Sequence, residues 1–503
     1  MKLSRRQFNY GSVAAASAAA FSSFAGCATE QRSDVVVMGG GIAGLNAALL
    51  LRELGLTVVV LEAGTEVGGR IKTVQTSAGA IDVGASQIGL GYARVRQACR
   101  KEQLKLVPEN RDLLPFGMHF QSNWIEASSW ADNPLNECVG EERTIPPMMM
   151  ARALVRKYNP LSDLDDWLSP SMAKWDISLR ELLVREGHSP QAIELAEWTV
   201  PGISLDETSI LRMFQEQARG DYERGFAQVY GAHSEPSSSS ANPFGEENVR
   251  SSDGSLATIY NIEGGCQQLP LALARRLGGA VILSKRVVGI DMTDGSATAT
   301  CADGTRYTGR YLVSALPFSV LRQVGINASR DSRMRASIQN MPYANTMRLY
   351  VEVERPFWEQ DGLPASFATD GRMGMFWAID NHGVDRPQRG MFVLVGKAGQ
   401  QISAVPDPAE FLIAELAKLR PASRGLIKPL VYKDWANDPL QMGCGFSIAP
   451  GQMNDHIEHL SQPWQVMHFA GEHTRRLDFG MESALESSER VAFEIMRRES
   501  AAG

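Results

Sequence analysis

The segment 34–70 constrains what this chain can fold into more than any other part of it. Residues 35–38 form a short, unbroken, β-branched run that is typical of a strand buried on both faces. An Ala- and Leu-rich helical pattern follows over 42–54, and a helix there directs free backbone N–H groups towards a phosphate. Between them lies the pattern G-x-G-x-x-G, whose glycines make a tight turn, admit a pyrophosphate and let the helix pack closely. These glycines are Gly39, Gly41 and Gly44.

A second apolar run, 57–61, completes this unit and ends on Glu62. An acidic residue at this spacing binds the ribose hydroxyls in dinucleotide-binding folds. Strand, glycine turn, helix, strand and acid occur in that order, so the segment predicts a dinucleotide-binding βαβ unit of an α/β fold. The alternatives are an ordinary tight turn in a parallel sheet and, for Glu62, a solvated acid at a strand end.

The residues after Glu62 distinguish a flavin from a nicotinamide cofactor. Gly68, Gly69 and Arg70 precede an Ile-Asp-Val-Gly-Ala-Ser stretch at 81–86. Together they resemble the second glycine pair and the D-x-G stretch of the flavin amine oxidase family, which includes monoamine, polyamine and L-amino-acid oxidases. The resemblance implies FAD as the cofactor and makes Arg70 a bidentate partner of the pyrophosphate. It also assigns to cofactor binding the small residues Ala43, Gly69, Ala85 and Ser86.

The C-terminal region is similar to the last signature of the same family. The strand, turn and helix of 466–498 carry this similarity. It implies that Glu472 faces the ribityl and phosphate region, and that backbone N–H groups around Met481 bind the pyrimidine oxygens of the flavin. In the middle of the chain, the resemblance implies a backbone contact near Val287 that holds the adenine.

The resemblance implies an α/β protein with the two-domain FAD-dependent amine oxidase fold, in which an α+β substrate domain is inserted into the dinucleotide-binding domain. The FAD-binding domain is predicted to be discontinuous and to comprise 33–100, 255–325 and 430–503. The substrate domain is predicted to comprise 101–254 and 326–429. Within it, the Pro- and Ser-rich run 236–243 is predicted to be a loop, either mobile and near the entrance or passive on the surface.

Residues 1–27 are expected to be a leader and not part of the fold. Ser-Arg-Arg-Gln-Phe at 4–8 looks like a twin-arginine signal, and an Ala- and Ser-rich stretch follows. Export of an already folded protein suits a chain that takes up FAD in the cytoplasm. Phe-Ala-Gly-Cys ending at Cys27 resembles a lipoprotein box, although Phe is unusual in its first position, and would make this cysteine a lipid anchor. The protein is therefore expected to be periplasmic, or membrane-anchored and facing the periplasm.

The composition excludes several function classes. The net charge of −7 argues against nucleic-acid binding, and no stretch beyond the leader is long and apolar enough to cross a membrane. Of the six cysteines, the five outside the leader are scattered, odd in number and without metal-binding spacing. Neither a metal site nor a disulfide framework is expected.

Arg348 is the first departure from the family pattern. It falls where many members carry a lysine thought to hold a water at the flavin N5. A permanently charged guanidinium cannot simply replace a lysine whose pKa can shift. Oxygen is then expected to be a poor electron acceptor, which favours a cytochrome or a quinone. The alternative is that Arg348 is a structural ion-pair residue.

Cys444 is the second departure from many bacterial members of the family. It falls where mitochondrial monoamine oxidases attach the flavin through a thioether. One prediction is therefore a covalent link to FAD. Many bacterial relatives bind FAD non-covalently, so a buried free thiol is the alternative.

The third departure concerns the substrate pocket. Family amine oxidases often place two aromatic rings before the flavin, and the corresponding positions here are Gly445 and Gly480. Either the neighbouring Phe446 and Phe479 form a wall, or the pocket is wide and takes a bulky substrate. Gln87 stands where L-amino-acid oxidases carry an arginine for the substrate carboxylate, so an amine without an α-carboxylate is favoured.

These observations together predict FAD-dependent oxidative deamination of an amine. Hydride transfer from the carbon next to a neutral amine to flavin N5 gives an imine that water hydrolyses, and the electrons pass to oxygen or to a redox protein. Three alternatives remain: an L-amino-acid oxidase, a desaturase-type oxidoreductase acting on carbon–carbon bonds, and a non-catalytic accessory flavoprotein that serves a partner.

Overall fold

The computed structural model describes residues 30–108, 116–200, 202–233, 259–330, 332–379, 388–453 and 459–502. The predicted leader 1–27, with Cys27, and the predicted loop 236–243 lie outside these residues. Within them the chain forms two large β-sheets, each packed against helices.

The first sheet has eight strands and is parallel at its centre, where Glu30–Met38 pairs with Val58–Leu61 on one side and Arg306–Ser314 on the other. Val35 and Val37 enter one hydrophobic cluster, and Val36 and Met38 enter another, so both faces of this strand are buried, as the sequence predicts. In spatial order the strands are Val281–Ile282, Val58–Leu61, Glu30–Met38, Arg306–Ser314, Ala297–Cys301, Val287–Met292 and Gly325–Ala328, and Met467–Phe469 also pairs with Arg306–Ser314.

Helices cover the face of this sheet that carries Val35 and Val37. Ile42–Glu53 contacts both Gln268–Leu277 and the C-terminal Gly480–Ala502, which also contacts Ala93–Lys101. The helix comes so close to the strand before it that a Cβ added at Gly44 would lie 2.1 Å from the carbonyl oxygen of Gly39. Only glycine permits this contact, which is the role the fingerprint gives its third glycine.

The second sheet has seven strands and is antiparallel except where Ser366–Thr369 pairs with Phe116–Phe120. Side chains alternate along a strand, so Met347 and Leu349 lie in the hydrophobic core on one face while Arg348 and Tyr350 lie on the other. In spatial order the strands are Ile427–Asp434, Thr346–Val353, Gln388–Val395, Met375–Ile379, Ser366–Thr369, Phe116–Phe120 and Asn123–Glu126.

The remaining helices and three small sheets complete the described part of the chain. The further helices are Met150–Tyr158, Leu179–Arg185, Pro190–Thr199, Ile210–His233, Phe318–Leu321, Met334–Asn340, Phe357–Asp361, Gly396–Ser403 and Pro408–Leu419. Ser178, Ser189 and Asp407 cap three of them by accepting backbone N–H bonds. The small sheets are Thr73–Thr76 with Gly79–Asp82, Ile259–Ile262 with Ile88–Gly89 and Leu106–Pro108, and Tyr343–Ala344 with Gly445–Phe446.

Two strands extend past the predicted domain limits. Ile427–Asp434 belongs to the second sheet but crosses the limit at 430, and Gly325–Ala328 belongs to the first sheet but begins at the limit at 325. The limits themselves remain a prediction.

Two classes of feature are missing from the described part of the chain. No helix there has the length and apolar character needed to span a bilayer. No group of three or more His, Cys, Asp or Glu side chains in the same residues is arranged to hold a metal ion. The five cysteines in these residues are free thiols, of which Cys444 is half-buried and the others are buried.

Candidate cofactor and active site

A cavity of about 680 Å³ lies between the first sheet and the edge of the second. Its volume falls in the upper part of the range of roughly 300–1,000 Å³ that is usual for ligand sites. Most of the residues predicted to bind the cofactor line it, although they come from six distant parts of the chain. They are Gly39, Gly41, Ala43, Glu62, Gly69, Arg70, Ala85, Val287, Cys444, Glu472 and Met481, together with Arg348.

The glycine turn leaves the cavity open to a phosphate. Gly39 has a φ of +103°, a conformation that favours glycine. A Cβ at Gly41 would meet no protein atom within 4 Å, so this residue borders open space on the cavity side. No side chain caps the helix Ile42–Glu53 that begins there. Its first N–H groups and the positive end of its dipole are therefore available to an anion.

Glu62 is held at the cavity wall by two backbone groups. One carboxylate oxygen accepts from the N–H of Gly40 at 2.6 Å, and the other accepts from Gly64 at 2.6 Å. Burial raises the pKa of this carboxyl, while the two N–H groups act in the opposite direction. Its contact with ribose hydroxyls stays a prediction, and the two bonds hold the carboxylate on the cavity wall.

Arg70 and Glu472, predicted separately from the two ends of the chain, meet in the cavity. The guanidinium of Arg70 donates to the carbonyl oxygen of Cys444 at 2.5 Å and to the Glu472 carboxylate at 3.4 Å. The second Glu472 oxygen lies 3.7 Å from Arg475, which also pairs with Glu216 at 3.2 Å. A line of alternating charges therefore runs from the cavity to the helix Ile210–His233. It holds the guanidinium of Arg70 at the cavity wall, where a pyrophosphate would bind.

A second helix N-terminus opens onto the cavity at Gly480 and Met481. It is anchored by the buried Glu482, which accepts from the backbone N–H groups of Arg94 at 2.9 Å and Val95 at 3.1 Å. Burial raises the pKa of Glu482 to about 7. The carboxylate of Asp478 pairs with Arg219 at 2.7 Å, so the start of this helix is tied to the inserted region.

The residues at this cavity fit FAD. An uncapped helix N-terminus with an open glycine suits a pyrophosphate, a fixed acid suits a ribose, and a second helix N-terminus suits an electron-rich ring oxygen. Arg70 supplies the positive charge.

Arg348 lies on the cavity wall and contacts a carbonyl, not a carboxylate. Its Nη1 donates to the carbonyl oxygen of Gly84 at 3.0 Å, and its buried Nε has no hydrogen-bond partner. No ion pair of Arg348 occurs among the described residues. The alternative of a structural ion pair therefore finds no support in this part of the chain.

Cys444 also lies on the cavity wall, where it is half-buried. Its backbone is fixed on both sides, since its N–H donates to Ala344 at 3.0 Å and its carbonyl accepts from Arg70. The predicted covalent link to FAD and the alternative free thiol both remain open to test.

The three predicted substrate-pocket residues do not line the cavity. Gly445 does, and because Phe446 follows it on a strand, the phenyl ring points the opposite way. Phe446 is fully buried, with the guanidinium of Arg475 at 4.9 Å and that of Arg212 at 5.8 Å from the ring centre. Phe446 therefore does not line this cavity, and its place in the wall of the substrate pocket stays a prediction.

Phe479 and Gln87 do not line this cavity either, and their roles at the substrate pocket stay predictions. Gly480 borders the cavity, whereas Phe479 packs 6.1 Å from Tyr92 and 5.8 Å from Arg219. Gln87 has a φ of +69°, and its backbone N–H donates to the side-chain oxygen of Asn261 at 3.0 Å. Two predicted cofactor residues are also absent from the cavity wall, namely Gly44 and Ser86.

The loop 436–442 is one part of the site that sequence reasoning missed. It lines the cavity together with Trp435, whose indole N–H donates to the carbonyl oxygen of Val83 at 3.2 Å. Asp438 anchors this loop through Lys433 and the N–H of Leu440. The signal in the sequence was an Asp-Pro turn between a strand and Cys444, but a turn alone does not indicate what it covers.

Comparison with known proteins agrees with this geometry. The model of the family described as flavin-containing amine oxidoreductase matches residues 42–496. The chain belongs to this family. The flavin-containing amine oxidase of Danio rerio is 26% identical over 491 residues, covering 93% of this chain and 86% of the relative. Amine oxidase B of Homo sapiens is 24% identical over 490 residues, with the same two coverages.

Solved structures of two relatives share the fold. Putrescine oxidase bound to putrescine has a TM-score of 0.69 at 18% identity and covers 93% of this chain and 100% of its own. Cyclohexylamine oxidase from Brevibacterium oxydans has a TM-score of 0.69 at 19% identity, with coverages of 92% and 99%. At these identities the likeness establishes the fold alone.

Family membership confirms four predictions made from the sequence. The protein has the two-domain FAD-dependent amine oxidase fold, it is an oxidoreductase, its cofactor is FAD, and its activity is FAD-dependent amine oxidation. The roles of individual site residues rest on the geometry above and on the experiments below.

Proposed function

We propose that this flavin amine oxidase acts on a bulky amine that has no α-carboxylate. The observation that carries the proposal is the pair of glycines on the cavity wall. A Cβ at Gly445 would meet no protein atom within 4 Å, and one at Gly480 would meet only the Tyr92 hydroxyl, at 3.5 Å. The space that two aromatic rings would fill is therefore free for the substrate.

The chain's own residues prepare the amine and the cofactor for reaction. FAD, when bound, accepts a hydride from the carbon next to the amine nitrogen, and water hydrolyses the resulting imine. The charge of Arg348 on the cavity wall disfavours a second positive charge beside it, so the amine binds as the neutral base. The helix N-terminus at Met481 supports negative charge on the reduced ring.

The arginines near the predicted carboxylate position support an amine and not an amino acid. Arg94 already pairs with Glu489 at 2.8 Å and lies near Glu482 and Asp478. Arg96 is buried and stacks 5.1 Å from the Tyr260 ring centre. Neither side chain lines the cavity.

We propose a cytochrome or a quinone, in preference to oxygen, as the electron acceptor. Arg348 supports this because a guanidinium stays charged at every working pH and cannot cycle a proton as a lysine can. The test compares the rates at which air and a soluble quinone reoxidise the reduced flavin, and the proposal expects the quinone to be faster.

The first experiment follows the flavin absorbance of the purified holoprotein without oxygen. Aryl-alkyl amines, cyclic amines, polyamines and amino acids are added in turn. Bleaching by bulky amines, and at least ten times more slowly by small ones, supports the proposal. Bleaching by amino acids alone would mean that an arginine of the cavity binds a carboxylate, and would overturn it. Readmitting air, or adding a quinone, then tests the acceptor in the same cuvette.

We further propose export by the twin-arginine route, with the mature protein in the periplasm or anchored to face it. The leader 1–27 supports export, and Cys27 within its box supports a lipid anchor. Fractionation of cells that express the wild type, R5K/R6K and C27S tests both. Retention of R5K/R6K in the cytoplasm is expected, with release of C27S from the membrane fraction. Unchanged location of both variants would contradict the proposal.

A further inference from the structure

One face of the second sheet is turned towards the FAD-binding region. Arg348 and Tyr350 lie two residues apart on Thr346–Val353 and therefore share that face. Trp435 follows the adjacent strand, and its backbone N–H donates to the carbonyl oxygen of Thr346 at 3.2 Å. Tyr350 and Trp435 form a small hydrophobic cluster with two residues of the first region, Ile81 and Val83.

Three side chains on this side of the sheet donate hydrogen bonds to three consecutive backbone carbonyl groups. The hydroxyl of Tyr350 donates to Asp82 at 3.0 Å. The indole N–H of Trp435 donates to Val83 at 3.2 Å. The Nη1 of Arg348 donates to Gly84 at 3.0 Å. We call residues 82–85 the gripped segment.

The backbone N–H groups of the gripped segment bond to the stretch that contains Arg70, the residue predicted to bind the pyrophosphate. The N–H of Ala85 donates to the carbonyl oxygen of Arg70 at 2.9 Å, and that of Val83 donates to Lys72 at 3.0 Å. The Asp82 carboxylate accepts from Thr73 at 2.6 Å. The segment is thus bonded through its N–H groups to residues 70–72, and through its carbonyls to side chains on or next to the second sheet.

The packing around the segment leaves it little room to move. A Cβ at Gly84 would lie 2.0 Å from the carbonyl oxygen of Arg70 and 3.0 Å from the Trp435 ring. Gly84, Ala85, Arg348 and Trp435 all line the cavity. A shift of the segment would therefore carry the Arg348 charge with it.

We propose that Tyr350 and Trp435 are positioning residues for the reaction, because they hold the gripped segment that sets where Arg348 presents its charge to the flavin. This inference rests on the proposed function only in that Arg348 acts on the bound cofactor. Tyr350 and Trp435 act through the segment, since their polar atoms bond to its carbonyls.

The test is the midpoint potential of the bound flavin, measured electrochemically without any amine. Removing the positive charge with R348M is expected to lower the potential, because that charge stabilises the reduced, electron-rich ring. In the Y350F/W435F background, the same substitution is expected to shift the potential by less than half as much. Coupled residues give such non-additive effects, whereas independent ones add.

The matched control is Y432F. Its hydroxyl bonds to Asp434 at 3.4 Å, on the same sheet but not to the gripped segment. R348M is expected to shift the potential equally with and without Y432F. Equal shifts in the Y350F/W435F background would overturn the proposal. If that double variant fails to retain FAD, Y350F alone decides by the same criterion.

The readout separates this inference from the proposed function. The potential depends on the cofactor and its surroundings, not on which amine the enzyme accepts. A protein that no amine reduces, but in which R348M and Y350F are coupled, would contradict the proposed function and keep the positioning role.

Discussion

The two ends of the cavity are built in different ways. At the pyrophosphate end, Glu62 is held by Gly40 and Gly64, so its contacts span at most 22 residues of sequence. At the flavin-facing end, Arg348 bonds to Gly84 across 264 residues. Arg70, between the two ends, bonds to Cys444 across 374 residues. The first end is a local motif with its own hydrogen bonds. The second exists only when distant segments have been brought together.

Gly44→Ala is expected to destabilise the pyrophosphate end most strongly. The added methyl would lie 2.1 Å from the Gly39 carbonyl oxygen, so strand and helix must separate at a cost of about 3 kcal/mol in the free energy of unfolding. Urea unfolding of the apoprotein measures this cost.

Gly41→Ala is the matched control, since its methyl would meet no protein atom within 4 Å. It should change apoprotein stability by no more than about 0.5 kcal/mol and yet weaken FAD retention, because the methyl enters the cavity. Equal destabilisation by both variants would mean that the two glycines do not have separate roles.

Arg70→Met tests the contact that joins the two ends. It removes hydrogen bonds to the Cys444 carbonyl and to Glu472, and leaves the Glu472 carboxylate with a weaker partner. A loss of about 1.5–3 kcal/mol in unfolding free energy is expected, together with weaker FAD binding in equilibrium dialysis. Arg32→Met, at an exposed surface pair, should stay within about 0.5 kcal/mol. Equal losses in the two variants would show that the contacts of Arg70 contribute no more to stability than an exposed ion pair does.

Gly445→Phe sharpens the comparison at the flavin-facing end. A ring at this position would fill the open space beside Gly445 and narrow the pocket. The ratio of kcat/KM for a bulky amine to that for a small amine is expected to fall about tenfold or more, a size that steric discrimination can reach. FAD content should not change, since the pyrophosphate end is untouched. An unchanged ratio would mean that substrate does not approach this wall.

Glu482→Gln tests a pH dependence of the stability. Burial raises the pKa of this carboxyl from 4.5 to about 7, so between these pH values the folded state holds a proton that the unfolded state has released. This contribution to stability is full below pH 4.5 and is lost as the pH rises to about 7, with a slope of at most about 1.4 kcal/mol per pH unit. Urea unfolding from pH 4.5 to 8 should show this slope in the wild type and not in the variant. An equal slope in both would assign it to another group.

The fold and the cofactor could be predicted because their signals are local. The buried run 35–38, the three glycines and Glu62 are adjacent in sequence, and each has a physical reason to occur where it does. The predicted strand is fully buried and the glycines lie at the turn, as the pattern requires. Glu472 and Met481 lie at the cavity for a similar reason, since strand, turn and helix follow one another there, and their roles stay predictions.

The direction of single side chains at the cavity could not be predicted. Gly445 borders the cavity and the ring of Phe446 does not, because adjacent residues on a strand point to opposite faces. Which face meets the cavity depends on the pairing of Gly445–Phe446 with Tyr343–Ala344, and that pairing joins segments about a hundred residues apart.

The sequence by itself therefore determined the nucleotide-binding unit, because short-range periodicity and glycine conformation are sufficient to specify it. The family and the cofactor followed from the resemblance of its motifs to those of the flavin amine oxidases. Only the tertiary structure decided that Arg348 bonds to Gly84, that Trp435 and Tyr350 hold the same segment, and that two glycines border the cavity. These contacts join residues far apart in the chain, and no local pattern records which of the many polar groups will meet once two domains close around one cavity.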